Sequence, residues 1–238
     1  MEADEYTRMD AVEARMWWYR ALHTRLLDAI GPNPGRILDA GCGTGGFLAR
    51  IGRDADAVGL EYHEAAALLA RQKSGHPIAR GSIDTLPFVD RSFATVVTAD
   101  VLCHAAVTPE RALAEIKRVL IPGGRVIVNM PAFASLMSAH DVRVHNARRM
   151  SAPETAAMLT AAGFHVLSTS YWNGLLLPLM IARRKLVPPS PDRSDVAVFP
   201  PWLDRILHGM TALERRLPFP LPAGGSVLAI AERPMEQT

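Results

Sequence analysis

The chain has 238 residues, with 26 lysines and arginines against 24 aspartates and glutamates, and the net charge of +2 is too small to predict nucleic-acid binding. Its length fits one sizeable domain with additions but not two full domains. Its two cysteines are too few for a disulfide framework, and its acidic start lacks the pattern of a signal peptide. Its longest apolar run, residues 175–182, is shorter than the ~20 residues of a membrane span. We therefore expect a soluble, cytoplasmic protein.

Apolar residues recur at steps of three and four between Met9 and Ile30, which predicts one amphipathic helix that ends at Gly31. From Arg36 onward, short apolar runs alternate with helical patterns. The predicted strands are RILDA, DAVGLE, PIARGS, FATVVTA and RVIVNMP, and the predicted helices start near Gly45, Glu64 and Pro109. Strands this apolar, separated by helices, predict a mostly parallel sheet with helices on both faces, which is a doubly wound α/β fold.

The pattern loosens after Pro131. Ser151 is placed to cap a helix that runs to Ala162, HVLSTSYW predicts a sixth strand and SVLAIAE a last strand. We divide the chain into an N-terminal helical cap over 1–34, a core over 35–172 and 226–233, and a helical insertion over 173–225 with the proline-rich joint VPPSPD. We interpret the insertion first as an apolar lid; the alternatives are a dimer contact and an interfacial segment that presents residues 183–185, RRK, to lipid headgroups.

The stretch LDAGCGTGGF, residues 38–47, joins the first predicted strand to the first core helix. Ligands of open α/β sheets bind at this edge, and glycines let a ligand lie against the backbone. Gly41, Gly43 and Gly46 also satisfy the G-x-G-x-x-G spacing of dinucleotide sites. A diphosphate would meet the carboxylate of Asp39, however, whereas a cationic ligand would be attracted by it. Glu61 ends the second strand, where a carboxylate can accept hydrogen bonds from ribose hydroxyls.

Five segments form a recognisable set: ILDAGCGTG, the acid in VGLEYH, GSIDTLPFVDRSFATVV, ADVLCHA and EIKRVLIPGGRVIV. Together they resemble the class I S-adenosylmethionine-dependent methyltransferases of the type 11 group, over roughly residues 36–166. The resemblance implies a seven-stranded sheet with an antiparallel last strand, and S-adenosyl-L-methionine, which carries a sulfonium and an ammonium group, as the cofactor. The implied cofactor contacts are Asp39, Gly41, Cys42, Gly43, Glu61, Tyr62, Ser82, Ile83 and Ala99. Ser82 stands where relatives usually carry an aspartate beside the adenine, so we expect its hydroxyl or the Asp84 carboxylate to take that role.

Methyl transfer depends mainly on positioning, with help from a general base where the acceptor is a hydroxyl or a weakly acidic carbon. The candidate bases are His104, in the loop after the fourth strand, and His140 and His145, in SAHDVRVHNARR after the fifth strand. In the latter segment, Asp141 beside a histidine would raise its basicity. The alternatives are a loop role for His104 and a solvated, salt-bridged helix start for the other segment. The histidine spacing disfavours a metal site, and we predict none.

Two pairs of residues are candidates for binding the acceptor. Arg148 and Arg149 suit a phosphate or carboxylate, while Trp18 and Tyr19 lie on the leading helix, where adjacent aromatic side chains point to different sides. We therefore predict a methyltransferase that acts on a small, hydrophobic or amphiphilic, lipid-like acceptor. The alternatives are an NAD-dependent oxidoreductase and a noncatalytic cofactor-binding partner protein. We expect no nucleic-acid partner, and the sequence leaves peripheral membrane contact and the oligomeric state open.

Overall fold

The computed structural model describes residues 3–186 and 199–236, whose strands form one seven-stranded sheet. The strands are β1 (Ile37–Ala40), β2 (Ala57–Glu61), β3 (Ile78–Arg80), β4 (Phe93–Ala99), β5 (Leu120–Pro131), β6 (His165–Trp172) and β7 (Ser226–Glu232). Their order across the sheet is β3-β2-β1-β4-β5-β7-β6. Neighbours among β1 to β5 run parallel, whereas β7 is antiparallel to β5 and β6. The predicted fold class is confirmed, including its antiparallel last strand.

Helices connect the strands and extend the N-terminal side. They are α1 (Ala3–Val12), α2 (Trp17–Ile30), α3 (Gly46–Ile51), α4 (Glu64–Ser74), α5 (Pro109–Val119), α6 (Ala139–Arg143), α7 (Ala152–Ala161), α8 (Leu177–Leu186) and α9 (Pro201–Glu214), with a short 3-10 turn over Ala134–Leu136. The predicted strands FATVVTA, HVLSTSYW and SVLAIAE coincide with β4, β6 and β7. The joint VPPSPD lies outside the described residues, and the division into cap, core and insertion stays a prediction.

The sheet is buried on both faces because successive side chains of each strand point to opposite helix layers. Leu38 and Val96 pack on the face that α5 and α7 cover. Ile37 and Val97 pack on the other face, which α2, α3 and α4 cover. Burial of one large apolar side chain contributes about 1.5–3 kcal/mol, and a one-residue slip would exchange the two faces, so this packing fixes the strand register.

The leading amphipathic segment consists of two helices, which corrects the prediction of one. α1 ends at Val12 and α2 begins at Trp17. The Trp17 backbone N–H donates to Asp204 Oδ1 at 2.6 Å, so a side chain of α9 satisfies a free donor at the start of α2. Asp204 lies 187 positions later in the chain. Periodicity alone therefore could not predict the break.

The predicted start of α7 is confirmed in detail. The Ser151 hydroxyl accepts from the Glu154 backbone N–H at 3.4 Å, and the Glu154 carboxylate accepts from the Ser151 backbone N–H at 2.7 Å. This reciprocal pair is a capping box, which satisfies two backbone donors at the helix start. The helix is followed by Gly163 at φ +77, a left-handed position that favours glycine.

Candidate active site

A cavity of about 1270 Å³ opens at the carboxyl edge of the sheet, where the strand order changes direction between β1 and β4. The glycine loop after β1 forms part of its wall. Gly45 has φ +83, and a Cβ on this residue would lie 2.7 Å from the Cα of Ala70, so only glycine fits there. The backbone N–H groups of Gly41 and Cys42 both donate to the Leu60 carbonyl at 2.9 Å. These bonds fasten the loop to β2.

Asp39, the third residue of β1, lines the cavity with a buried carboxylate. Its Oδ2 atom has no hydrogen-bond partner among the described residues. Burial, together with the nearby carboxylates of Glu13 and Glu61, raises the pKa of Asp39 to about 8. An unpartnered buried carboxylate costs folding free energy, and a ligand that donates to it recovers that cost.

Glu61, at the end of β2, is also buried, but both of its oxygens accept hydrogen bonds. Oε1 accepts from the His63 backbone N–H at 2.8 Å and the Tyr6 hydroxyl at 3.2 Å, and Oε2 accepts from the Gly43 backbone N–H at 3.0 Å. Burial raises the pKa of Glu61, while these hydrogen bonds act in the opposite direction. Because each carboxylate oxygen has two lone pairs, Glu61 Oε2 keeps the capacity to accept from one ligand hydroxyl.

The acidic end of the cavity fits a cationic ligand better than an anionic one. Glu13, Asp39 and Glu61 all line it. A diphosphate would add like charge to these carboxylates, whereas an amino group would donate to the free oxygen of Asp39 and balance its charge. These hydrogen-bond acceptors therefore fit the amino-acid end of S-adenosylmethionine, with Glu61 suited to a ribose hydroxyl.

The chain is similar to known methyltransferases in sequence and in structure. Residues 38–128 match the family model described as a methyltransferase domain. An O-methyltransferase of Penicillium expansum is 29% identical over 165 residues, which are 63% of this chain and 58% of that protein. The crystal structure of an S-adenosylmethionine-dependent methyltransferase from Thermotoga maritima is 23% identical, with TM-score 0.62, over 97% of this chain and 95% of that chain. A geranyl diphosphate C-methyltransferase of Streptomyces coelicolor A3(2) is 15% identical, with TM-score 0.63, over 90% of this chain and 77% of that chain.

The chain carries a class I S-adenosylmethionine-dependent methyltransferase domain. The predicted family is confirmed, and with it S-adenosylmethionine as the cofactor that this family uses. The two structural similarities are below 25% identity and show the fold alone. The matches cover 36%, 58% and 58% of three curated relatives, so the chain spans little more than half of their length at most.

The expected cofactor contacts of the methyltransferase domain all line this one cavity: Asp39, Gly41, Cys42, Gly43, Glu61, Tyr62, Ser82, Ile83 and Ala99. Their contact with the cofactor stays a prediction. Of the two side chains expected beside the adenine, Ser82 lines the cavity, and its hydroxyl accepts from the Asp84 backbone N–H at 3.2 Å. The Asp84 carboxylate instead accepts from the Thr108 backbone N–H at 3.1 Å and does not line the cavity. The geometry favours Ser82 for this role.

Two of the three candidate bases, His104 and His145, line the cavity of the methyltransferase domain. His104 is partly buried, and burial lowers its pKa, so its imidazole is neutral at pH 7 and able to accept a proton. His145 is exposed, and its backbone carbonyl accepts from the Ala105 N–H at 2.8 Å, which joins the 138–149 segment to the loop after β4. The side chain of His140 lies outside the described residues.

The Asp141 carboxylate organises the 138–149 segment. It is fully buried and accepts from Arg149 Nε and Nη2 at 3.0 Å each, from the Ser138 N–H and hydroxyl at 2.8 Å each, and from Asn146 Nδ2 at 3.3 Å. Burial opposes its ionisation, but the Arg149 charge and these hydrogen bonds outweigh burial, so the pKa of Asp141 lies below its usual value. Asp141 therefore pairs with Arg149, while the predicted effect of Asp141 on a neighbouring histidine stays a prediction.

The arginine pair also has structural partners, and its predicted role in binding an anionic group of the acceptor stays a prediction. Arg149 lines the cavity, but its guanidinium is held by Asp141 and by the Ala132 carbonyl, to which Nη1 donates at 3.1 Å. Arg148 does not line the cavity, and its Nη1 donates to the His104 carbonyl at 2.6 Å. Both arginines hold the cavity wall in place.

Sequence reasoning missed Asp100, which directly follows β4 and lines the cavity. Its backbone has φ +54, and Asn129 Nδ2 donates to its Oδ1 at 2.9 Å. Trp172 Nε1 in turn donates to Asn129 Oδ1 at 2.8 Å, so two side chains orient the Asp100 carboxyl. Burial raises the pKa of Asp100 to about 7, close to the value that suits a general base at neutral pH. The signal in the sequence was a carboxylate at the end of a parallel strand.

The N-terminal segment supplies a second group of residues that the sequence did not indicate. Tyr6 and Met9 of α1 and Glu13 of the following turn line the cavity. Glu13 Oε2 accepts from the Thr44 hydroxyl and from Lys73 Nζ, both at 2.7 Å. These bonds hold the N-terminal turn against the glycine loop and α4, so α1 covers the acidic end of the site.

The opposite end of the cavity is apolar. Trp18 and Tyr19 line it as predicted, although their contact with an acceptor stays a prediction. The Trp18 ring lies 5.9 Å from the Trp172 ring between centroids, which orders this wall. Met180 of α8 and Phe199, two residues before α9, complete it. The 173–225 segment therefore contributes to the apolar wall, and its interpretation as a lid stays a prediction.

The structure also bears on metal binding and on the membrane. Among the described residues, no three His, Cys, Asp or Glu side chains are grouped so that they could hold a metal ion. None of the described helices is long and apolar enough to cross a membrane. The cytoplasmic location stays a prediction.

Proposed function

We propose that this protein transfers the methyl group of S-adenosylmethionine to a small hydrophobic or amphiphilic acceptor. Its main support is one continuous cavity that joins the unpartnered carboxylate of Asp39 to the apolar wall around Trp18 and Phe199. The volume of about 1270 Å³ exceeds the ~300–1,000 Å³ of an ordinary ligand pocket, which leaves room for a cofactor and an acceptor together.

The acidic end would hold the cofactor. The Asp39 carboxylate would accept from its amino group, Glu61 Oε2 would accept from a ribose hydroxyl, and the backbone of Gly41 and Gly43 would lie against it. When bound, the cofactor supplies a methyl group on a positively charged sulfur. The protein contributes orientation and the exclusion of water, which are the main requirements of an in-line methyl transfer.

The apolar end would hold the acceptor. An aromatic wall from α2 and the 173–225 segment favours a hydrocarbon group, because it offers apolar surface and few hydrogen-bonding groups. The geranyl diphosphate C-methyltransferase of Streptomyces coelicolor is named for an acceptor of this amphiphilic kind. The pairing of Arg149 with Asp141 argues against a bidentate phosphate site at this residue.

Proton removal, where the acceptor requires it, falls to Asp100 or His104. Both line the cavity at the carboxyl edge of β4. Burial lowers the pKa of His104, which favours the neutral imidazole that accepts a proton. Burial raises the pKa of Asp100 to about 7, which makes its ionised form a stronger base than an ordinary carboxylate. The Asp100→Asn and His104→Gln variants distinguish them. The variant of the true base should lose kcat and the acidic limb of the pH–rate profile, while its affinity for S-adenosylmethionine stays near wild type.

The test begins with calorimetric titration of the purified protein with S-adenosylmethionine, S-adenosylhomocysteine and NADH. We expect binding of the two adenosyl ligands alone. Binding of NADH alone would establish the oxidoreductase alternative.

Radiolabelled methyl transfer is then measured on prenyl alcohols, prenyl phosphates, sterols, fatty acids and bulk tRNA. Labelling of the apolar acceptors supports the proposal, labelling of tRNA alone contradicts it, and cofactor binding without transfer to any of them favours the noncatalytic alternative.

A further inference from the structure

The outer face of α9 carries an apolar stripe that the proposed function does not use. The side chains of Trp202, Ile206 and Leu213 are 62%, 52% and 59% exposed. At about 100° per residue, these positions and Gly209 fall in one narrow sector of the 14-residue helix. Single exposed apolar residues are common on protein surfaces, but a continuous row on one helix face indicates an interaction surface.

The inner face of α9 fixes this orientation. Leu207 is buried against Val12, Met16 and Trp17. The buried Glu214 carboxylate accepts from Arg25 Nη2 at 3.1 Å, and it also accepts from the backbone N–H groups of residues 173–175. A rotation of α9 that buried the stripe would break this buried ion pair, which is strongly destabilising. The apolar stripe therefore remains outward while the protein is folded.

The charges around the stripe are positive. The two acidic residues of α9, Asp204 and Glu214, both turn inward, where they pair with Arg20 and Arg25. Arg205 and Arg216 are exposed beside the stripe and form no ion pair with any residue that the structure describes. An apolar row of Trp, Ile and Leu with flanking arginines is the pattern of a helix that lies in a membrane interface, and arginines near an anionic leaflet strengthen such binding.

We propose that the outer face of α9 binds the surface of a membrane that contains anionic lipid. Trp202, Ile206 and Leu213 enter the headgroup region, and Arg205 and Arg216 face the lipid phosphates. Phe199, just before α9, lines the acceptor end of the cavity, so membrane binding would place this end near amphiphilic molecules in the bilayer. Membrane binding goes beyond methyl transfer, and its test requires no methyl donor, so either proposal can fail without the other.

The test is flotation of the full chain with vesicles of phosphatidylcholine and phosphatidylglycerol in equal parts, compared with phosphatidylcholine alone. We expect stronger binding to the anionic vesicles than to phosphatidylcholine alone. Brominated lipid should quench the tryptophan fluorescence of the wild type, and this quenching should be lost in Trp202→Phe. Ile206→Gln should lower the partition coefficient about tenfold, while Val89→Gln, a matched change at a residue 75% exposed in the loop before β4, should leave it unchanged. Arg205→Gln should weaken binding to anionic vesicles only.

Three results would overturn the proposal. The wild-type protein does not float with either vesicle, or Ile206→Gln and Val89→Gln bind equally well, or light scattering shows a dimer that Ile206→Gln dissociates. The last result would assign the stripe to contact with a second copy of the chain. Because the substituted side chains are exposed, thermal unfolding of each variant should match that of the wild type, and this confirms that lost binding is not lost folding.

Discussion

Two buried aspartates line the same cavity but have opposite surroundings. The Asp141 carboxylate accepts hydrogen bonds from Arg149, Ser138 and Asn146, whereas Asp39 Oδ2 has no hydrogen-bond partner among the described residues. Their pKa values move in opposite directions, below the usual value for Asp141 and up to about 8 for Asp39. The difference teaches that a carboxylate in a cavity is available to a ligand only where folding has left it without a cation. Asp39 meets that condition and Asp141 does not.

Breaking the satisfied pair should have the largest effect. Arg149→Met leaves the buried Asp141 carboxylate uncompensated, which should lower the free energy of unfolding by about 3–5 kcal/mol in urea titrations. Arg149→Met combined with Asp141→Leu should recover part of this loss, because no buried charge then remains. A stable Arg149→Met variant with weakened acceptor binding would contradict the structural role of this pair.

Removing the unsatisfied carboxylate should affect ligand binding instead of folding. Asp39→Asn should weaken S-adenosylmethionine binding about 100-fold in calorimetry, because a charge-assisted hydrogen bond to the amino group is lost. Its stability should stay near wild type or increase, because an uncompensated carboxylate is removed. Asp56→Asn, at a 70% exposed residue just before β2, is the control and should bind normally. Wild-type affinity in Asp39→Asn would remove Asp39 from the cofactor site.

The pH dependence of the ligand-free protein sharpens the same contrast. Folding raises the pKa of Asp39 from its ordinary value of 3.8 to about 8, so between these values the folded state holds a proton that the unfolded state has lost. The free energy of unfolding should therefore fall as pH rises through this window. Urea titrations at several pH values should show that the free energy of unfolding depends less steeply on pH in Asp39→Asn than in the wild type. In the wild type, cofactor binding should tighten as Asp39 ionises. Equal slopes for the two proteins would argue against the raised pKa.

The smallest effect should come from a substitution beside Glu61, whose carboxylate already accepts hydrogen bonds from the protein. Tyr6→Phe removes one donor from Glu61, which retains the backbone N–H groups of Gly43 and His63. The binding free energy of S-adenosylmethionine should become less favourable by about 0.5–1.5 kcal/mol, so its Kd should rise about two- to twelvefold. A loss as large as that of Asp39→Asn would mean that α1 contributes a principal cofactor contact.

Most of the fold could be predicted because its signals are local. The apolar strands, the Ser151 cap and the glycine loop each depend on residues within one element or turn, and β4, β6 and β7 have the predicted bounds. The break between α1 and α2 could not be predicted, since it depends on Asp204 of α9. Local patterns define elements, and a distant side chain decides where one of them is interrupted.

The acidic half of the site followed from chain order. Glu61 ends β2, and Asp39 lies one residue before the end of the neighbouring parallel strand β1, so we expect their carboxylates at the same edge of the sheet. Asp100 and Glu13 escaped notice because their roles depend on Asn129 and Thr44, which lie far from them in the sequence.

The sequence by itself determined the family, the fold and the position of the glycine loop, because strand order and glycine spacing are properties of the chain. Only the tertiary structure decided which charged side chains are free. Arg149 and Asp141 resemble a binding site in the sequence, but in the fold they neutralise one another. Whether a charge is partnered, and where its pKa lies, depends on burial and on neighbours that only folding brings together.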